Sequence, residues 1–176
     1  VGTDEEPGRC DVERIPTLRP AFAKDGTVTA ATSSSISDGA ASLILASESE
    51  ARRRGLKPLA RIVGMTAHAH EPEWFTTAPV PAIAKLLERT GWQAGDVDLY
   101  EINEAFACVT MAAIHDLKLP RDRVNVNGGA CALGHPIGAT GARILVTLIH
   151  ALRRRGGRRG IAGLCIGGGE AVAAAI

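Results

Sequence analysis

Aromatic residues are scarce in this 176-residue chain: two Trp, one Tyr and three Phe. Its core must therefore be filled by small and aliphatic side chains, which suits closely stacked layers. There is also little charge imbalance. A net charge of +1 gives no electrostatic footprint for a general nucleic-acid or membrane-surface binder. Cysteines are few, at Cys10, Cys108, Cys131 and Cys165. None forms a C-x-x-C pair and none has zinc-ligand spacing to a histidine, so no metal site is expected. The pattern points to a reduced, cytoplasmic protein. No apolar run is long enough to cross a bilayer, and the N-terminus has no signal-peptide pattern. The chain does not begin with Met, and Val1 to Arg19 is polar, charge-rich and weakly periodic. That stretch reads as a connecting segment cut from something longer.

What is present is apolar residues, at 45%, and twenty glycines. Strand character is expected at Gly26–Ala30, Leu59–Met65, Val97–Ile102 and Val124–Val126, and in the closing pair Gly160–Ile166 and Ala171–Ile176. The last two are close enough for an antiparallel hairpin. Helical periodicity is expected after Ser37 as cap, with Ala40, Leu43, Ile44 and Ala51 inward until Gly55. It is expected again from Pro81 to Gly91, from Ala105 to Leu117 and from Ala139 to Arg155. The basic runs Arg52–Arg54 and Arg153–Arg159 follow periodic stretches and end in glycine, as cations do at helix C-termini. The alternation implies a layered α/β fold with helices covering a mixed sheet.

Three short clusters fall in loops after strands: Asn103-Glu104-Ala105-Phe106, Gly134-His135-Pro136 and Cys165-Ile166-Gly167-Gly168-Gly169. In open α/β sheets, sites gather at the C-terminal ends of strands. Glycines after a cysteine let a substrate approach the backbone and leave N–H groups for an oxyanion. Singly, each cluster has a plain structural reading: a buried small hydrophobe, a turn histidine, a helix cap, a tight hairpin.

Together they resemble the thiolase family. Asn103-Glu104-Ala105-Phe106, then Asn127-Gly128-Gly129-Ala130 leading to Gly134-His135-Pro136-Ile137-Gly138, then Cys165 to Gly169, are similar to its three C-terminal signature blocks in order and spacing. The similarity extends upstream to Pro20-Ala21-Phe22, Asp25 to Ala30 and Ser37 to Ala41. Glu71 to Phe75 and Ala78 to Pro81 look more like bacterial acetyl-CoA acetyltransferases than longer-chain enzymes.

The resemblance implies a thiolase-like layered fold with a mixed five-stranded sheet. Residues 1–36 would end a loop domain, 37–57 would close an N-terminal domain and 58–176 would form the C-terminal domain. The implied reaction joins two acetyl-CoA into acetoacetyl-CoA and CoA, or reverses this, with coenzyme A thioesters as substrates and no resident cofactor. Cys165 takes the acid/base role, which suits a thiol whose pKa lies near neutrality and can be tuned. His135 supplies an oxyanion N–H, Asn103 holds a water beside it, and the Gly167 N–H serves a second oxyanion hole. Glu104 orients neighbouring polar groups. Ser34 contacts the pantetheine arm, whose tunnel is lined by Ala21, Phe22, Ala30, Ala105 and Phe106.

The chain departs from the family at Ala31 to Ser37, which lacks the usual glycines and asparagines around Ser34, and at Glu170, where many relatives have a neutral residue. Cys108 and Cys131 read as packing residues. None of the four cysteines matches the acylated nucleophile of the family. The chain is therefore expected to be a fragment, a processed piece or one partner of a split enzyme, completed by an N-terminal thiolase half and homo-oligomeric when whole. A thiolase for longer 3-ketoacyl chains, and a non-catalytic interaction module, are the alternative readings.

Overall fold

The computed structural model describes residues 2–3 and 5–176. Six α-helices and four strands occur among the described residues: α1 (Glu6–Arg9), α2 (Glu48–Arg53), β1 (Gly64–Ala69), α3 (Pro79–Thr90), β2 (Leu99–Ile102), α4 (Ala107–Asp116), α5 (Ala130–Leu133), α6 (Ile137–Arg155), β3 (Gly160–Cys165) and β4 (Glu170–Ala175). The sheet order is β1-β4-β3-β2. β3 and β4 form the expected antiparallel hairpin, with Cys165 opposite Ala171. β1 lies antiparallel on β4, whereas β2 lies parallel to β3, with Ile102 opposite Gly163. The sheet is thus mixed, and the active loops after β2 and β3 emerge at the same end.

Alternation along the strands divides the core into two layers. Tyr100, Ile102, Ile161, Ala171, Ala173 and Ala175 pack against α3 and α4, where Ala82, Ile83, Leu86, Val109 and Ala113 are all fully buried. Leu99, Ala162 and Ile176 pack against Ile144, Leu148, Ala151 and Leu152 of α6. Each fully buried Leu or Ile contributes about 1.5–3 kcal/mol. α3 starts on Pro79 and stops at Gly91, which takes the left-handed conformation at φ 68°. α6 ends similarly at Gly156, with Arg153, Arg154 and Arg155 in its last turn, where cations favour the negative end of the dipole. Met65 and Val172, on the strand face beyond α6, are 58% and 37% exposed.

Several sequence expectations need correction. The sheet has four strands among the described residues, not five. Val124–Val126 stops at an isolated bridge from Val124 to Tyr100. Asn125 adopts φ 49°, and its side chain accepts from the Ile102 N–H and donates to the Ile102 carbonyl, both at 2.8 Å. An amide side chain thus satisfies the edge of β2 where a further strand would have paired. Gly26–Ala30 forms no strand, and Ala30–Thr32 is a 3₁₀ turn closed by reciprocal Thr29–Thr32 bonds. Leu59–Met65 becomes strand only from Gly64.

The helix expected after Ser37 exists only as α2, capped by Ser47, whose hydroxyl accepts from the Glu50 N–H at 3.2 Å. Ile44, one of the residues expected inward, is 93% exposed, whereas Ala51 is buried at 7%. An isolated short helix is marginal without an apolar face to pack on.

Candidate active site

Two loops at the C-terminal ends of the parallel strands build the site, and a third closes it. Asn103 leaves β2 and is tied to β3 by its N–H donating to the Gly163 carbonyl at 2.9 Å. It is 1% exposed, and its Oδ1 has no hydrogen-bond partner. Its Nδ2 lies 3.3 Å from His135 Nε2. The backbone of His135 is held by its N–H donating to the Ser35 carbonyl at 2.9 Å.

The other ring nitrogen, Nδ1, lies 2.7 Å from the Thr140 hydroxyl, which is also 3.0 Å from the Pro136 carbonyl. That hydroxyl has one proton to give. The Pro136 carbonyl also accepts from the Ala139 and Thr140 N–H groups at 2.8 and 2.9 Å. Burial, and then the Arg143 guanidinium, hold His135 below the ordinary imidazole range. At neutral pH it is an uncharged ring.

Cys165 ends β3 and is 6% exposed. Burial pushes its thiol up to about 11, against the pull of a backbone N–H and with a lesser push from Cys108. The sequence expectation of a thiol near neutrality is corrected accordingly: at rest the group is protonated. No hydrogen bond joins its Sγ to Asn103 or His135 among the described residues. After it, Ile166 and Glu170 close the turn, with the Ile166 N–H donating to the Glu170 carbonyl at 2.8 Å. The N–H groups of Gly167 and Gly168 have no hydrogen-bond partner among the described residues, and both glycines are exposed. Glu170 is exposed, with its carboxylate folded beside Gly168.

Glu104 organises the third loop. Its carboxylate accepts from Asn125 Nδ2 at 3.2 Å and from the Cys131 N–H at 3.3 Å. A Cβ on Gly129 would collide with that carboxylate and force it to move. Gly134, at φ 86°, has no room for one either, because Ser37 Oγ occupies the space. Burial, and then Glu104, push the Cys131 thiol up to about 11. Cys108 is exposed and Cys131 intermediate, and all four cysteines are free.

The expected tunnel residues are partly gathered. Ser34 donates its hydroxyl to the Ala105 carbonyl at 2.9 Å, and its N–H reaches the same oxygen at 3.1 Å. Phe106 meets Phe22 edge-on at 6.0 Å and Phe75 at 6.2 Å. Phe22 is nevertheless 77% exposed. Ala21 and Ala30 are exposed, with Ala21 tied to the Val28 carbonyl at 2.7 Å. Sequence reasoning missed Glu101, Thr140 and Arg143. Thr140 lies five residues after His135, one turn into a helix, where spacing alone signals only a face residue.

The loops of this layered α/β scaffold thus carry a strand-end thiol, an imidazole contacted at both nitrogens and two unbonded backbone N–H groups. Residues 56–176 match the family described as "Thiolase, C-terminal domain", and residues 1–49 match "Thiolase, N-terminal domain". The chain belongs to the thiolase family. It is 56% identical over 159 residues to an acetyl-CoA acetyltransferase of Shinella zoogloeoides, covering 90% of this chain and 41% of that one. The crystal structure of the Bacillus anthracis acetyl-CoA acetyltransferase superposes with a TM-score of 0.91 at 52% identity, covering 94% of this chain and 42% of that one. A thiolase from Ascaris suum, solved in complex with coenzyme A, does so at 0.90 and 43% identity, covering 99% and 46%. The chain thus spans less than half the length of these relatives.

Proposed function

We propose that this chain supplies the proton-transfer and oxyanion part of an acetyl-CoA acetyltransferase site, acting on acetyl-CoA and acetoacetyl-CoA in the cytoplasm. The observation that carries the reading is the bonded series Asn103–His135–Thr140 at the strand end beside that of Cys165. The nucleophile that becomes acylated is none of the four cysteines here, and an N-terminal thiolase domain provides it. Residues 1–36 belong to the loop domain of that assembly, 37–57 to its N-terminal domain and 58–176 to its C-terminal domain.

The chemistry follows from the groups in place. As the first acetyl-CoA acylates the nucleophile, the Cys165 thiol gives its proton to the departing CoA thiolate. Raised by burial, this thiol is protonated at neutral pH and so holds a proton to give. The resulting Cys165 thiolate then takes a proton from the methyl group of a second acetyl-CoA. The enolate oxygen so formed is stabilised by His135 Nε2–H and by a water held on Asn103. The carbanion attacks the acyl carbon, and the Gly167 N–H supports the oxyanion there. Collapse expels the nucleophilic thiolate and yields acetoacetyl-CoA, while Cys165 is left as a thiol. Thiolysis runs these steps backwards. Ser34 and the Phe22–Phe106 contact hold the pantetheine arm alongside Ala21, Ala30 and Ala105.

Incubating the 176-residue chain with acetyl-CoA tests the division of labour. Intact-mass spectrometry should show no stable acetyl adduct, and acetoacetyl-CoA should not be cleaved. An adduct on one of its cysteines together with turnover would make the chain a complete enzyme and overturn the proposal.

A further inference from the structure

Two cysteines in the loops around the site have no part in the proposed acyl transfer. Cys108 is the second residue of α4, and Cys131 is the second of α5. Neither is the packing residue its sequence context suggests: Cys108 is exposed and Cys131 is only partly buried. Their helices meet at the turn that leads into α4. The Cys131 thiol lies 3.8 Å from the Glu104 carbonyl oxygen, and the Cys131 N–H donates to the Glu104 carboxylate at 3.3 Å. The Ala107 N–H, next in the chain to Cys108, donates to the Cys131 sulfur. Cβ atoms on a helix lean toward its N-terminus, so the Cys108 thiol leans back over the turn that Cys131 touches. The two thiols interact. Burial, then Glu104, and to a lesser extent Cys108 push the Cys131 thiol up to about 11, against the pull of the Ala107 N–H.

Cys165 also feels Cys108, but it is the poorer partner. It is 6% exposed and fixed opposite Ala171 in the β3–β4 hairpin. Cys131 stands instead on a single helical turn bounded by Gly129 and Gly134. A segment with glycine at both ends can shift to bring its sulfur to bonding distance, roughly 2.05 Å.

We propose that Cys108 and Cys131 are an oxidative modification site: hydrogen peroxide converts the two thiols to an intramolecular disulfide that ties the first turn of α4 to α5, in the loop that carries His135. The exposed Cys108 meets the peroxide first. Its sulfur attacks one peroxide oxygen, the O–O bond breaks, and a sulfenic acid and a water form. The Cys131 sulfur then attacks the sulfenic sulfur. The S–S bond forms, the S–O bond breaks, and the hydroxyl leaves as water with the Cys131 proton. Two thiols are oxidised, and one hydrogen peroxide is reduced to two waters. A thiol reductant reverses the bridge by exchange. The site does not depend on the acyl-transfer reading, in which neither sulfur reacts.

Trypsin places the four cysteines in separate peptides, with Cys108 in 90–118, Cys131 in 124–143 and Cys165 in 160–176. The chain is treated with stoichiometric hydrogen peroxide, its remaining thiols are alkylated in denaturant, and the digest is mapped by mass spectrometry. The same map is made on a protein joining this chain to a thiolase N-terminal domain. The expected result in both is a cross-link between 90–118 and 124–143, lighter than the two peptides by two hydrogens and released by dithiothreitol. Cys108→Ser should abolish it and leave Cys131 open to alkylation. Absence of the cross-link from either preparation overturns the proposal. So does sulfinic or sulfonic acid on Cys108 with Cys131 alkylated, or a bridge from Cys108 to Cys165 in its place. Should Cys108→Ser not fold, the wild-type maps decide alone.

Discussion

Glu101→Leu is expected to stabilise this chain at and above neutral pH, and by an amount that disappears in acid. The carboxyl is 2% exposed and is raised from an ordinary 4.5 to about 7, chiefly by burial. Because the folded-state value is raised, the favourable protonated form is fully present below pH 4.5 and is lost as the pH climbs through 7. Holding it ionised above that point costs about 3 kcal/mol, at roughly 1.4 kcal/mol per pH unit. Leucine removes this cost and adds apolar burial against Leu99 and α6. Against that, Arg143 loses its partner, but its side chain is 21% exposed and can turn toward water. The net gain at pH 8, the ionisation cost less the loss of the Arg143 contact, should be about 1–3 kcal/mol, which moves the melting temperature by roughly 2–10 °C in a chain of this size. Thermal unfolding followed by circular dichroism at pH 5 and pH 8 is the assay, read as the difference between variant and wild type. A variant less stable than wild type at pH 8, or a difference equal at both pH values, would refute the reasoning.

Two further outcomes follow from named contacts. Leu148→Ala, at a position with 0% exposure in the α6 layer, should cost about 2–5 kcal/mol in denaturant-derived stability, whereas a cost near zero would mean that α6 is not packed on the sheet. His135→Ala, in the joined protein, should lower kcat by roughly 10²–10³ while CoA binding changes little; a raised KM at unchanged kcat would instead make His135 a binding residue.

The chemistry of the site was more legible than the architecture around it. Asn103, His135 and Cys165 stand in short blocks whose residue types and order mark them; Asn103 and Cys165 lie at the ends of the adjacent strands β2 and β3, and His135 lies beside Asn103 in the loop before α6. The end of α3 at Gly91, φ 68°, was legible because glycine stops a helix through local backbone geometry, whereas its start lies at Pro79, two residues before the expected Pro81. What misled were segments whose conformation depends on distant partners. Ala40 and Ile44 have helical spacing, yet Ile44 lies 93% exposed, and periodicity cannot say whether a covering surface exists. Val124–Val126 has strand composition, yet Asn125 turns its side chain onto Ile102 instead. The Glu101–Arg143 pair was invisible because a carboxylate in a short strand reads as solvent-facing until α6 is laid over it. The protonation of Cys165 was likewise set by burial, which follows from packing rather than from the Cys-Ile-Gly-Gly-Gly block.

The most direct test of the central claim, that Cys165 carries the proton, is Cys165→Ser in a protein joining this chain to a thiolase N-terminal domain. Two quantities are measured on the same sample: covalent acetylation by acetyl-CoA, through intact mass, and the steady-state rate of acetoacetyl-CoA formation. A serine hydroxyl is far less acidic than a thiol and cannot serve as the base at neutral pH. The account predicts that the acetyl adduct still forms, on the N-terminal domain, while condensation falls well below a tenth of the wild-type rate. A variant that keeps more than about a tenth, a loss under ~1.4 kcal/mol of transition-state stabilisation, would contradict it.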